Sequence, residues 1–178
     1  MIAIDIAYID ACPIDDFRHH IGPLFEDAPA FVDRLAHARP FGSVDRLFER
    51  ALEIAEGMPE REQIELLNAH PRLGAPAGTV SATSFLEQGY DRGAADALAE
   101  KTSAQIDADL TDLNDAYEST FGFRYCVFVA GRPRADLIPG LRAALHADRE
   151  SELRRGLSDV VAIGRQRWLA STSRELPA

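Results

Sequence analysis

The sequence predicts an all-α fold, a single-domain bundle of about eight helices spanning residues 1–178 with one buried extended connector at about 123–129. Three observations predict it. Apolar residues recur at three- and four-residue spacing through most of the chain. Pro and Ser residues stand where such runs begin, and Gly residues where they end. Only one run, Phe123 to Val129, is strongly β-prone, and a lone strand has nothing to pair with.

Taken in order, Pro13 suits a first helical position, and Ile14, Phe17 and Ile21 follow until Gly22-Pro23 stops the run. Phe31 and Leu35 predict a short helix ending before Pro40. Ser43 is a candidate N-cap for a longer one, with Leu47, Ala51 and Ile54 as its buried stripe and Gly57 as its stop. Pro59, Glu60 and Glu62 open the next, which carries Ile64 and Leu67 and ends at His70-Pro71. Small polar residues, Gly and Pro make 75–81 a loop, and a short helix follows around Ser84 to Gln88. From Ser103, the stripe Ile106, Leu110, Leu113, Tyr117 marks a long amphipathic helix closed by Gly122. Beyond the connector, helices are expected over about 136–147, with Pro139 near its start, and 150–170. There are no repeats, heptads or linker.

Composition narrows the function. The chain has 178 residues, enough for one domain with a hydrophobic core. Nineteen basic against 29 acidic side chains give a net charge of −10, which argues against nucleic-acid and anionic-membrane partners. Cys12 and Cys126 lie far apart with no CxxC pattern and read as buried, reduced thiols. The start of the chain has no basic segment ahead of an apolar one, so no signal peptide is expected, and no apolar run is long enough for a membrane span. The expected location is the cytoplasm.

Several chemistries are missing from the sequence: HExxH, a Cys/His cluster, a P-loop and a GxSxG elbow. Asp107, Asp109 and Asp112 lack the glycine and terminal glutamate of a calcium loop and fall in a helical pattern, which makes them a solvated acidic face. His19, His20, His37 and His146 have no partners at ligand spacing, and Trp168 reads as a packing residue.

What remains is a pair of motifs. His70-Pro71-Arg72-Leu73-Gly74 closes one helix and Ser84-Phe85-Leu86-Glu87-Gln88 opens the next. Imidazole exchanges protons near neutral pH, and a helix C-terminus favours its protonated form. Glu87 within reach would hold one tautomer or relay a proton, while Ser84 and Gln88 suit carbonyl or amide groups of a substrate. The same residues also read structurally, His70-Pro71 as a helix stop and Ser84 with Glu87 as a capping box.

At these residues the chain resembles the 2-oxo-4-hydroxy-4-carboxy-5-ureidoimidazoline (OHCU) decarboxylase family of urate catabolism. The matching segments are Ala69-His70-Pro71 with Leu73, the Ser84/Glu87/Gln88 spacing, Leu113-Asn114 with Tyr117 and Phe121-Gly122-Phe123, and Ile163 with Arg167. The resemblance implies an all-α homodimer that turns the ureidoimidazoline into S-allantoin without metal or organic cofactor. It implies His70 as the catalytic acid/base, assisted by Glu87. Pro71, Ser84 and Gln88 would contact the substrate, and backbone around Phe123, Tyr125 and Val127 would line its pocket.

Two departures stand out. Ala144 occupies the place of an expected substrate-gripping arginine, a charge-assisted contact of about 1.5–3 kcal/mol. Glu26-Asp27-Ala28-Pro29-Ala30 replaces the usual Glu-His-Ser-Pro-Trp. Arg72, Arg124 and Arg142 are the candidate replacements for the arginine. The alternatives are a family relative acting on another small cyclic ureido or carboxylated heterocycle, and a non-catalytic helical module.

Overall fold

The computed structural model describes residues 5–90 and 97–173, which contain nine α-helices, two short 3-10 turns and no strand. The helices are α1 (Ile6–Ala11), α2 (Ile14–Ile21), α3 (Pro29–His37), α4 (Val44–Gly57), α5 (Glu60–Ala69), α6 (Ala82–Glu87), α7 (Ala97–Phe121), α8 (Arg134–Ala144) and α9 (Arg149–Ser173). Among the described residues no helix is long and apolar enough to cross a membrane.

Most boundaries follow the expected signals, and the exceptions have physical causes. Ser43 caps α4 by accepting from the Arg46 amide at 3.2 Å. Helix α1, which the apolar pattern did not predict, is only six residues long and is started by Asp5, whose carboxylate accepts from the Ala7 amide. Helix α6 begins earlier than expected because its cap is Ser81, not Ser84. The capping-box reading of Ser84 and Glu87 is therefore replaced: Ser84 is an interior, buried residue of α6. Helix α7 starts ahead of Ser103, and α8 is displaced toward the N-terminus and carries Pro139 inside it. Pro139 is the sixth residue of α8.

The chain divides into two compact units, one drawn from residues 1–69 and 157–178 and the other from residues 70–156. In the first, Phe17, Ile21, Phe31, Leu35, Leu47 and Leu67 are almost fully buried, each contributing about 1.5–3 kcal/mol relative to exposure. Phe25 packs edge-on against Phe31 at 4.8 Å between centroids. It also lies so close to α9 that a Cβ at Gly164 would fall 2.6 Å from its ring. Beyond Phe25, Glu26 and Asp27 take left-handed φ values of 51° and 56°, a cost of roughly 1–2 kcal/mol each. Arg167 offsets it by donating to the Pro23 carbonyl (3.1 Å), the Leu24 carbonyl (3.3 Å) and the Glu26 carboxylate (2.8 Å). Trp168 is buried beside it in sequence, as expected of a packing residue.

The second unit is organised around Tyr117, which is fully buried and contacts Phe121, Phe123 and Tyr125 at centroid distances of 4.5, 5.8 and 5.1 Å. The buried stripe of α7 runs through Leu110, Asn114, Tyr117 and Phe121, so Asn114 takes the core position expected for Leu113. Residues 124–129 adopt no regular structure, while Phe123, Tyr125, Cys126 and Val129 are buried, as expected of a core connector. Without a neighbouring strand its carbonyls need other donors. Arg155 supplies one, donating to the Cys126 carbonyl at 2.8 Å while pairing with buried Glu152 and lying over the Tyr125 ring. Burial, and then the bond to Glu152, push the Tyr117 hydroxyl far above the ordinary tyrosine range, so it remains a donor to Glu152 at 2.8 Å.

Candidate active site

His70 is the first residue past α5 and is 3% exposed. Proline at 71 removes an amide donor and holds His70 out of helical geometry, so the chain must turn here. The turn that follows is built by side chains from elsewhere in the second unit. Arg124 donates to the His70 carbonyl at 2.9 Å. Gln88 uses both ends of its amide, donating to the Arg72 carbonyl at 3.3 Å and accepting from the Gly74 amide at 2.7 Å. Asn114 donates to the Leu73 carbonyl at 2.9 Å, and the Tyr90 hydroxyl donates to the Ala75 carbonyl. Gly74 has φ +79°, and a Cβ there would lie 2.8 Å from Leu110, so glycine is required twice over.

Arg72 anchors the turn further. Its guanidinium grips Glu118 through two bonds of 2.7 and 2.6 Å and reaches Asp115 at 2.8 Å. The hydrogen bonds to Glu118, foremost, raise its pKa and keep it charged. The arginines considered as replacements for one at position 144 are thus already engaged: Arg72 by these carboxylates, Arg124 by the His70 carbonyl, and exposed Arg142 by Asp109 at 3.4 Å. Ala144 is buried, at 7% exposure.

The other predicted residues fall as follows. Ser84 and Gln88 are buried on and just after α6, and Glu87, its last residue, is half-buried. Gln88 thereby joins the second motif physically to the first. Pro71 is half-buried, Phe123 and Tyr125 turn their rings into the core, and Val127 is half-buried in the connector. Asn114 and Tyr90 were not among the predicted site residues, and Arg124 was considered only as a replacement for the arginine expected at position 144, not as a support of the His70 turn. Asn114 was signalled by its place on an otherwise apolar helical face; Arg124 and Tyr90 carried no such mark.

Other candidate chemistry is absent or committed. Among the described residues no three His, Cys, Asp or Glu side chains gather as a metal site. Asp107 and Asp109 pair with Arg134 and Arg142, which accounts for two of the three aspartates weighed as a calcium loop. A groove of about 620 Å³ in the first unit is lined by α3 and α4 residues including Arg34, His37 and Arg50 and contains none of the predicted residues. Its arginines are paired, Arg34 with Glu62 at 2.6 Å and Arg50 with Glu53 at 2.7 Å.

The ordered arrangement of these residues is matched by a family model described as OHCU decarboxylase, over residues 10–169. The chain belongs to the OHCU decarboxylase family. It is 31% identical over 147 residues to the uric acid degradation bifunctional protein PucL of Bacillus subtilis (strain 168), covering 83% of this chain and 28% of that protein. The chain thus spans little more than a quarter of that relative. It is 26% identical over 168 residues to the 2-oxo-4-hydroxy-4-carboxy-5-ureidoimidazoline decarboxylase of Haloferax volcanii, covering 90% of this chain and 92% of the relative. In fold it is similar to a crystal structure of OHCU decarboxylase in the presence of (S)-allantoin, with a TM-score of 0.63 and 18% identity over 89% of this chain and 98% of the other.

Proposed function

We propose that this chain is a carboxy-lyase that converts 2-oxo-4-hydroxy-4-carboxy-5-ureidoimidazoline to (S)-allantoin in urate breakdown. The observation that carries the reading is the His70 turn, a buried imidazole followed directly by backbone that the amide of Gln88, from the Ser84–Gln88 segment, holds at Arg72 and Gly74, in a chain of the OHCU decarboxylase family.

The chemistry asks little of the protein. The bond from the ring carbon to its carboxylate breaks, the electron pair moves into the adjacent ring C=N, and carbon dioxide leaves. One proton then enters at the ureido-bearing carbon, and as the neighbouring hydroxyl becomes a ketone its proton passes to the ring nitrogen that took the electron pair, so that one proton is taken up for each carbon dioxide released. The substrate ring is the electron sink, so the proposed reaction calls on no metal or organic cofactor. The protein must hold the carboxylate out of the ring plane and deliver the proton to one face. In this reading His70 is the catalytic acid and Glu87 assists it. Pro71, Ser84 and Gln88 meet the substrate, and backbone at Phe123, Tyr125 and Val127 lines the pocket. The same reading takes the working form to be a cytoplasmic homodimer.

The test is direct. Substrate generated from urate by urate oxidase and hydroxyisourate hydrolase should give a circular-dichroism signal of (S)-allantoin that rises faster with the chain than without. His70→Ala should cut that rate by about 10²–10⁴-fold with the far-ultraviolet spectrum unchanged. A variant as active as the parent sinks the assignment. Buried Ala144 favours a second reading, a family relative that takes another small cyclic ureido or carboxylated heterocycle. No acceleration by the parent itself would select it.

A further inference from the structure

The backbone carbonyl of His70 is held by a residue of the connector. Arg124 lies between Phe123 and Tyr125, both buried, so its main chain is fixed by the second unit's core. Its guanidinium donates to the His70 carbonyl at 2.9 Å across 54 residues of sequence. The Pro71 ring prevents the helix from continuing past His70, so this carbonyl sits where helical order has ended. A charge-assisted bond from a planar guanidinium fixes the direction of the peptide plane more firmly than a neutral donor would.

We propose that Arg124 is a positioning residue, setting the imidazole of His70 against the connector backbone. This rests on the reading of His70 as the catalytic acid. One side chain then joins the proton donor to the wall of the pocket. The alternative role for this guanidinium, gripping the substrate in place of an arginine at position 144, has a different kinetic signature.

Arg124→Ala and Arg124→Lys separate the two. Loss of positioning should lower kcat by about 10- to 100-fold, the usual penalty for misplacing a reacting group by about an ångström. KM should stay within about twofold, because the ground-state contacts remain. Lysine, which can still donate to the carbonyl, should recover a large part of kcat. A raised KM at unchanged kcat, or kcat unaffected in Arg124→Ala, overturns the proposal. So does an equal loss in both variants accompanied by loss of cooperative melting.

A second measurement stands apart from activity. In the full chain with isotope-labelled histidine, the His70 ring resonance, assigned by its disappearance in His70→Ala, should be single in the parent. It should split or broaden in Arg124→Ala and sharpen again in Arg124→Lys. An unchanged single resonance in Arg124→Ala overturns the positioning role. A parent that lacks activity yet shows the expected spectra would instead refute the proposed reaction and leave Arg124's role intact.

Discussion

The turn at Pro23–Asp27 and the turn at His70–Ala75 face the same problem, backbone carbonyls left without helical partners, and their support is distributed differently. At the first, a single arginine from α9 makes three bonds, to the Pro23 and Leu24 carbonyls and to Glu26. At the second, Arg124, Gln88, Asn114 and Tyr90 each hold a different part of the backbone. The first turn passes through two left-handed residues to start α3. The second presents a buried imidazole. Concentrated support is sufficient to reverse the chain, whereas distributed support constrains each successive peptide plane, which is what a reacting group requires.

The largest effect should therefore fall on the Pro23–Asp27 turn. The Arg167 side chain is 4% exposed and that of Glu26 is 13%. Arg167→Ala removes three bonds at once and leaves the Glu26 carboxylate in a poorly solvated place. It should cost about 3–5 kcal/mol, measured by urea unfolding. A loss below about 1 kcal/mol would mean that the pair behaves as a surface salt bridge and would break the comparison.

Gln88→Ala should cost less, about 1–3 kcal/mol, because Arg124, Asn114 and Tyr90 still hold the turn. It strips a partner from the Gly74 amide and from the Arg72 carbonyl. Decarboxylation should nevertheless fall more steeply than stability, since the Arg72–Gly74 segment follows His70 directly. Paired unfolding and rate measurements check this, and a stability loss equal to that of Arg167→Ala would show that the second turn's support is not distributed after all.

The two turns also differ in how far they could be read from sequence. Helix periods, the Ser43 cap and the Pro71 stop were legible because each acts within a few residues. The link between the motifs was legible only as spacing: nothing local shows that Gln88 reaches back to Gly74. Ser84 looked like a cap because S-x-x-E satisfies the local rule, yet Ser81 supplies the same oxygen three residues earlier and the helix starts there. Arg124 and Arg167 were the least legible as structural groups. An arginine bonded to carbonyls 54 or about 144 residues away leaves no periodic trace, and only the folded chain brings the two together. Leu113 and Asn114 show the converse. Both fit a helical face within one residue, and the core took the polar one because its amide satisfies the Leu73 and Leu110 carbonyls.

The smallest effect is expected at the edge of the His70 turn. The Tyr90 hydroxyl donates to the Ala75 carbonyl and lies 3.3 Å from the Gln88 side-chain oxygen. Its ring carries the Arg134 guanidinium at 4.6 Å, and burial raises its pKa, so it stays protonated as a donor. Tyr90→Phe keeps the ring and the stacked arginine and deletes only the hydroxyl, at a cost of about 0.5–1.5 kcal/mol. Gln88 retains its bonds to Arg72 and Gly74, so the peptide planes nearest His70 should stay in place and the rate should change by less than about threefold. The expected order is Arg167→Ala, Gln88→Ala, Tyr90→Phe in stability, and Gln88→Ala ahead of Tyr90→Phe in rate. A Tyr90→Phe variant that loses as much activity as Gln88→Ala would move the site's main support from the amide of Gln88 to the hydroxyl that borders it.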